Sequence, residues 1–286
     1  MIESENPLPV VGPWAQDKLS RLGKYLSAYT TILKSQSWIK GYFYVDALAG
    51  AGRSLLRREG EEPRELLDGS PRIALNIRFP FTNYIFVEKD AARVAILRSL
   101  QQEFRDSRHI EVIEGDCGDY LRNLATNPPV DFRKWRGVVF LDPFGMQVPW
   151  DIVKGLGSTR ALEVFLNFPV GMAIQRLLLR QWREVRGERR RRLDSYFGGS
   201  GWFDAVYPQE NTLFGPERGK AGDAAMRLVD WYRSKLAGAF GFVSQPCLVR
   251  NSHGGHLYYL IWAGPNKTGL RIANFVLSGG RESKIK

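Results

Sequence analysis

Four acidic residues stand where apolar runs of the chain stop. Asp46 closes YFYV, Glu88 closes YIFV, Asp116 follows IEVIEG, and Asp142 closes VVFL. A carboxylate in such a place is a charge-assisted acceptor for hydroxyl or amine protons. After Asp46 the residues turn small, as Ala47, Ala49, Gly50, Ala51 and Gly52, so that a ligand can come close to the backbone. Asp142 is followed by Pro143, Phe144 and Gly145, which sets an aromatic ring two residues from a carboxylate. The set could bind a molecule through its hydroxyl and amino groups.

Such residues act together only if the chain brings several strand ends to one place. Leu19, Leu22, Leu26, Tyr29 and Leu33 recur at helical spacing and predict a helix over 14–35. Strands are expected at 42–46, 84–88, 110–114, 137–142 and 162–168. Between them the pattern predicts helices at 71–78, 91–104, 120–125 and after Trp150, and the charged stretch 53–70 reads as a loop. Strands alternating with helices predict an α/β fold with a parallel, doubly wound sheet. Runs such as VVFL and VFLNF suit strands buried on both faces. Beyond Pro169 the expectation is a long, arginine-rich helical segment, then a helix at 223–236. Two closing strands, 242–249 and 256–262, are joined too briefly for a crossover and should pair antiparallel. This order resembles a Rossmann-like class I methyltransferase fold with a terminal antiparallel hairpin. The expected organisation is an N-terminal helical cap, 1–40, ahead of a domain at 41–286 that carries a basic helical insertion at about 171–237.

Open α/β sheets bind ligands at the carboxyl ends of their strands. If the ligand is S-adenosylmethionine, each residue there has a physical task. The turn through Asp46, Ala49, Gly50 and Gly52 lets the amino-acid and ribose portions approach. Glu88 accepts hydrogen bonds from both ribose hydroxyls, Asp116 accepts from the adenine amine, and Cys117 lines the adenine pocket. A dinucleotide fits less well, because the first turn lacks the GxGxxG pattern. The bland alternative is that these acids only cap loops.

Asp142-Pro143-Phe144-Gly145 resembles the DPPY/NPPF-type tetrapeptide of methyltransferases that modify exocyclic base amines, and a DPFG form occurs in a family of tRNA guanine-N2 methyltransferases. The resemblance implies that Asp142 and the carbonyl of Pro143 hold the amine while Phe144 stacks on the base. A wider likeness covers roughly residues 14–264. The pieces LxxYLxAY (from Leu22), YVDALAGAG, DGSP, FVEKD, EGDC, FLDPFG, FLNFP and LYYLIWAG together resemble the three-Cys-motif partner protein (TcmP) family. That family's DLFAGPG stands here as DALAGAG, which keeps both glycines and loses the aromatic residue and the proline. Membership implies a methyltransferase-like fold and a genomic pairing with a radical-type three-cysteine protein.

The charge balance points to a partner class. The chain of 286 residues has a formal net charge of +11. Between Arg176 and Arg192 eight arginines face two glutamates, so this one stretch supplies six of the eleven excess charges. Guanidinium forks match phosphate oxygens, and Arg189, Arg190, Arg191 and Arg192 are the candidate nucleic-acid contacts; the alternative is a solvated helix face. Cys117 and Cys247 lie too far apart in sequence for a disulfide framework, and no apolar run reaches membrane-spanning length. A cytoplasmic protein without membrane contact is expected. His253 and His256 read as a hairpin turn rather than a metal site. The residues favour an enzyme that methylates a base amine. Its rivals are a small-molecule methyltransferase working with a three-Cys-motif partner, and a nucleic-acid-binding scaffold that has lost catalysis.

Overall fold

The structure is a computed structural model and describes residues 8–280 other than 59, 61, 63, 64, 213 and 214. The ends of the two expected domains, 1–7 and 281–286, lie outside the described residues. The sheet is built from β2 (Gly41–Asp46), β5 (Asn83–Glu88), β6 (Ile110–Glu114), β7 (Trp135–Leu141) and β8 (Leu162–Phe168), which run parallel in the order β6-β5-β2-β7-β8. The order reverses at β2, the first strand of the sheet in sequence, and a cleft opens where strands diverge in this way. β13 (His256–Gly264) adds to β8 antiparallel, and β11 (Phe242–Val243) and β12 (Cys247–Arg250) both pair antiparallel with β13. The fold is therefore α/β and Rossmann-like, with the sheet of a class I methyltransferase.

Strand alternation sends side chains to two cores. Phe43, Val45, Val139 and Leu141 face one side, packed with α4 (Cys117–Thr126), α5 (Trp150–Ser158) and α8 (Ala224–Phe240). Tyr44, Phe86, Phe140 and Phe165 face the other, packed with α1 (Trp14–Lys34), α2 (Ser70–Leu75), α3 (Ala91–Glu103) and α9 (Lys267–Leu277). Both faces being covered explains why the inner strands are near-continuously apolar, while the edge strand β6 is half-exposed.

Four expectations change. The charged stretch after Gly52 is not a loop: β3 (Arg53–Leu56) and β4 (Glu65–Asp68) pair antiparallel, and β1 (Val10–Val11) joins β3 in parallel. The many charges obscured the strand pattern. In a small, partly exposed sheet those charges can reach water, and Arg58 meets Glu65 at 2.7 Å across the hairpin. The insertion is not one long helix. It runs through a π-turn (Val170–Ile174), a 3-10 turn (Trp182–Glu184), α6 (Gly187–Phe197), α7 (Trp202–Val206) and a hairpin of β9 (Gln209–Thr212) and β10 (Gly215–Arg218). Gly198, at φ 65°, ends α6 in the left-handed region. The strand expected over 242–249 is split, because Ser244 takes the Trp262 amide on its hydroxyl at 2.9 Å and Pro246 has no N–H for the ladder. Finally, α9 was not anticipated; Asn266 caps it by accepting from the Thr268 amide at 2.7 Å.

α1 is tied to the sheet by a buried polar cluster. Tyr25 donates to Glu163, and the Trp262 indole donates to the Tyr25 hydroxyl at 2.6 Å. Burial pushes the Glu163 carboxyl up to about 7 from an ordinary 4.5, although Tyr25, Trp262 and Arg136 favour its ionised form. A carboxyl raised on folding contributes most below its unfolded value, and the contribution is lost as pH climbs to the folded one. Stability should therefore fall between about pH 4.5 and 7, by roughly 3 kcal/mol from this group. Asp46, raised from 3.8 to about 7, acts in the same direction. Denaturant unfolding across this range should show a shallower loss for Glu163→Gln than for the wild type. Identical pH dependences would remove Glu163 as a source.

Candidate active site

The loop after β2 forms the floor of the cleft. Its backbone is fixed from both neighbouring strands: the Ala47 amide donates to the Phe140 carbonyl at 3.2 Å and the Ala49 amide to that of Val87 at 3.0 Å. Gly50 and Gly52 hold φ of 61° and 69°, where a side chain is strained. A Cβ on Gly50 would point into open space, so the residue leaves room beside the backbone. The Gly50 amide donates to Glu88 at 2.9 Å, whose other oxygen accepts from the Lys89 and Asp90 amides, both at 2.9 Å. Glu88 is buried and has thus a structural duty as well as acceptor capacity for a ligand. Asp116 caps α4, accepting on Oδ1 from Gly118 at 2.7 Å and Asp119 at 3.2 Å. Among the described residues that cap engages only one of its two oxygens. Cys117 is buried beneath, its thiol pushed up to about 11 chiefly by burial.

These residues line one cavity of about 280 Å³, and Asp142 and Phe144 line it too. Asp46 lies buried under the same loop. Its Oδ2 accepts from Tyr44 at 3.1 Å, and burial raises its pKa more than Ser70 and Tyr44 restore it; the nearby charge of Asp142 raises it further. Asp46 is fully buried and is not among the residues that line the cavity, so it supports the loop from beneath. Pro143 is buried and shapes the turn, whereas Phe144 is 64% exposed, an unusual state for a large apolar ring.

Asp142 has two partners that the sequence pattern does not connect with it. Lys18, from α1, forms an ion pair with Asp142 Oδ2 and lines the cavity. Asn167, at the end of β8, donates to Asp142 Oδ1 at 2.6 Å. Asn167 was visible as a polar residue closing an apolar strand. Lys18 was not, since nothing local says that a lysine on an amphipathic helix reaches a strand end 124 residues away.

The four arginines divide. Arg189 donates to the Glu184 carbonyl at 3.3 Å, and Arg190 pairs with Asp194 at 3.1 Å with its guanidinium 4.1 Å from the Phe203 ring centroid. Both are half-buried and hold the insertion together. Arg191 and Arg192 are exposed, have no ion pair among the described residues, and line a groove with Arg122. That groove shares Asp116 and Gln147 with the cavity, so the basic surface runs to the mouth of the site. His253 lies in the β12–β13 turn and His256 opens β13, and among the described residues no three His, Cys, Asp or Glu side chains cluster as metal ligands. Nor is any described helix long and apolar enough to cross a membrane.

No protein-family model matches the chain, and no curated protein sequence matches it. Solved structures do. A Legionella pneumophila protein of the DUF519 family model is 14% identical over 91% of this chain and 90% of that one, with a TM-score of 0.49. Spermidine synthase from Thermotoga maritima is 10% identical over 91% of this chain and 62% of its own, at 0.40. An O-methyltransferase from Bacillus cereus, solved in complex with SAH, is 11% identical over 85% and 80%, at 0.40. At these identities the likeness is one of fold.

Proposed function

We propose that the protein is an S-adenosylmethionine-dependent methyltransferase acting on the exocyclic amine of a nucleic-acid base. One observation carries this reading: the glycine turn, Glu88, Asp142 and the exposed Phe144 share a single cavity, and an arginine-lined groove leads into it. Bound S-adenosylmethionine supplies an electrophilic methyl group. Glu88 and Asp116 have acceptor capacity for ribose and adenine protons. Asp142 holds the acceptor amine and stabilises the positive charge that grows on its nitrogen, the place where electrostatic catalysis is strongest. Phe144 gives the base a stacking surface, and Arg191 and Arg192 hold its phosphates.

The motif set favours membership of the three-Cys-motif partner family, with a three-cysteine protein as partner. Cys117 and Cys247 are free thiols, in keeping with a reducing cytoplasm.

Reversing Arg191 and Arg192 to glutamate tests the nucleic-acid half of the reading. Oligonucleotide affinity should fall at least tenfold at low salt. The slope of log K against log salt should shrink by about two, one for each phosphate that no longer meets an arginine. A titration at several salt concentrations that matches the wild type would leave the arginines as a solvated face. Reversal of Arg190 should instead lower the melting temperature, because its ion pair with Asp194 is internal to the insertion.

A further inference from the structure

We propose that Lys18 is a substrate-contacting residue of the acceptor site, and that with Asp142 it selects bases whose amino group stands beside an unprotonated ring nitrogen on the Watson–Crick edge. The inference rests on the function proposed for this cavity and adds the identity of the base. Lys18 Nζ and Asp142 Oδ2 are in direct contact, and both residues line the cavity that holds Phe144. They form an adjacent donor and acceptor. The carboxylate cannot swing away, because Asn167 holds its other oxygen at 2.6 Å. The ammonium is held as well: the Lys18 side chain is only 13% exposed, and Nζ sits 5.6 Å from the Tyr258 ring centroid. An ammonium has three donors and Asp142 occupies one of them, so Lys18 retains protons for a second acceptor at the same place.

A base stacked on Phe144 with its amine on Asp142 places the neighbouring ring atom near Lys18. In adenine and cytosine that atom, on the Watson–Crick edge, is a bare nitrogen, which accepts from the ammonium. In guanine the Watson–Crick neighbour N1 carries hydrogen, so two donors would meet, and the bare N3 on the amine's other side faces the sugar, which crowds its approach to Lys18. A site that pairs a donor with an acceptor discriminates strongly against the analogue that leaves a desolvated group unpaired. During transfer the amine lone pair forms the new N–C bond and the C–S bond breaks with its electrons going to sulfur. The excess proton on nitrogen then leaves to Asp142 and on to water.

The test is transfer of a labelled methyl group to adenine-, cytosine- and guanine-containing oligonucleotides, in RNA and DNA form. It uses the wild type, Lys18→Met and Lys18→Arg, with cofactor binding followed by calorimetry. The wild type should label adenine or cytosine and leave guanine unlabelled. Lys18→Met should lose at least tenfold in kcat/KM on the preferred base and discriminate less against guanine, with cofactor affinity unchanged. Lys18→Arg keeps the charge and a donor and should recover part of the loss. If Lys18→Met does not fold, Lys18→Arg carries the test through a raised KM for the preferred base at unchanged cofactor affinity. Label on guanine alone, or unaltered base preference in a folded variant, overturns the Lys18 assignment and leaves the methyltransferase reading standing. A wild type that binds cofactor and labels none of the oligonucleotides overturns both.

Discussion

Asp142→Ala should bind S-adenosylmethionine within a few-fold of the wild type and transfer essentially no methyl group. The residues with capacity for the cofactor lie on the loop after β2, at the end of β5 and at the start of α4, and Asp142 does not hydrogen-bond to any of them. On the function proposed above, its work is at the acceptor. A neutral amine becomes cationic as it takes the methyl group, and a fixed carboxylate beside it lowers that barrier without reorganisation. Loss of one preorganised partner of this kind slows chemistry by about 10²–10³ or more. The substitution also has a structural effect, since Lys18 loses its counter-ion and Asn167 its acceptor. Removing one partner of a buried or partly buried pair is destabilising, so the melting temperature should fall moderately. Thermal melts beside a labelled-methyl assay separate the two effects. A folded Asp142→Ala protein with full activity would refute the catalytic role, whereas loss of folding with proportionate loss of activity would mark the motif as a turn.

How much of the molecule was readable beforehand depended on the range of the interactions. The parallel strands inside the sheet announced themselves, because burial on both faces requires an apolar run and a turn residue must end it, whereas the edge strand β6, IEVIE, is half-exposed and carries two glutamates. VVFL before Asp142 and YIFV before Glu88 are inner runs of this kind. The positions of the candidate cofactor-side residues followed from the same logic, since strand ends of a doubly wound sheet converge. What stayed hidden came from interactions across the chain. Strands β3 and β4 are short and charged, and pairing with each other and with β1, more than composition, makes them strands. Arg190 and Arg191 are neighbours with the same chemistry, yet one stacks on Phe203 and the other faces the groove. Helix phase in a packed insertion decides that, and the insertion's breaks were not visible locally. Glu88 was read as a ligand acceptor, while its three bonds to backbone amides are features of the folded loop.

That double duty makes Glu88 the residue whose loss should be most damaging to cofactor binding. Glu88→Ala removes three amide-to-carboxylate hydrogen bonds and leaves the Gly50, Lys89 and Asp90 amides without their partner. Bonds to a charged acceptor contribute about 1.5–3 kcal/mol each, and water at the cleft mouth will compensate some of them. The net loss of stability should be about 2–4 kcal/mol. Cofactor affinity should fall further than acceptor loss alone implies, by a hundredfold or more. On the proposed reading the variant loses the ribose acceptor, and it also loses the tether that holds Gly50 at its positive φ, so a looser turn must be ordered on binding. Glu88→Gln separates these contributions. Its carbonyl oxygen can still accept from Gly50 or from Lys89 and Asp90, though not from both sides, and it carries no charge. It should therefore recover much of the stability and only part of the affinity. Melting curves with and without S-adenosylmethionine, joined to calorimetry, measure both quantities. If Glu88→Gln restores stability and affinity in equal proportion, the carboxylate serves the loop alone. If Glu88→Ala binds as tightly as the wild type, this cavity is not the cofactor site.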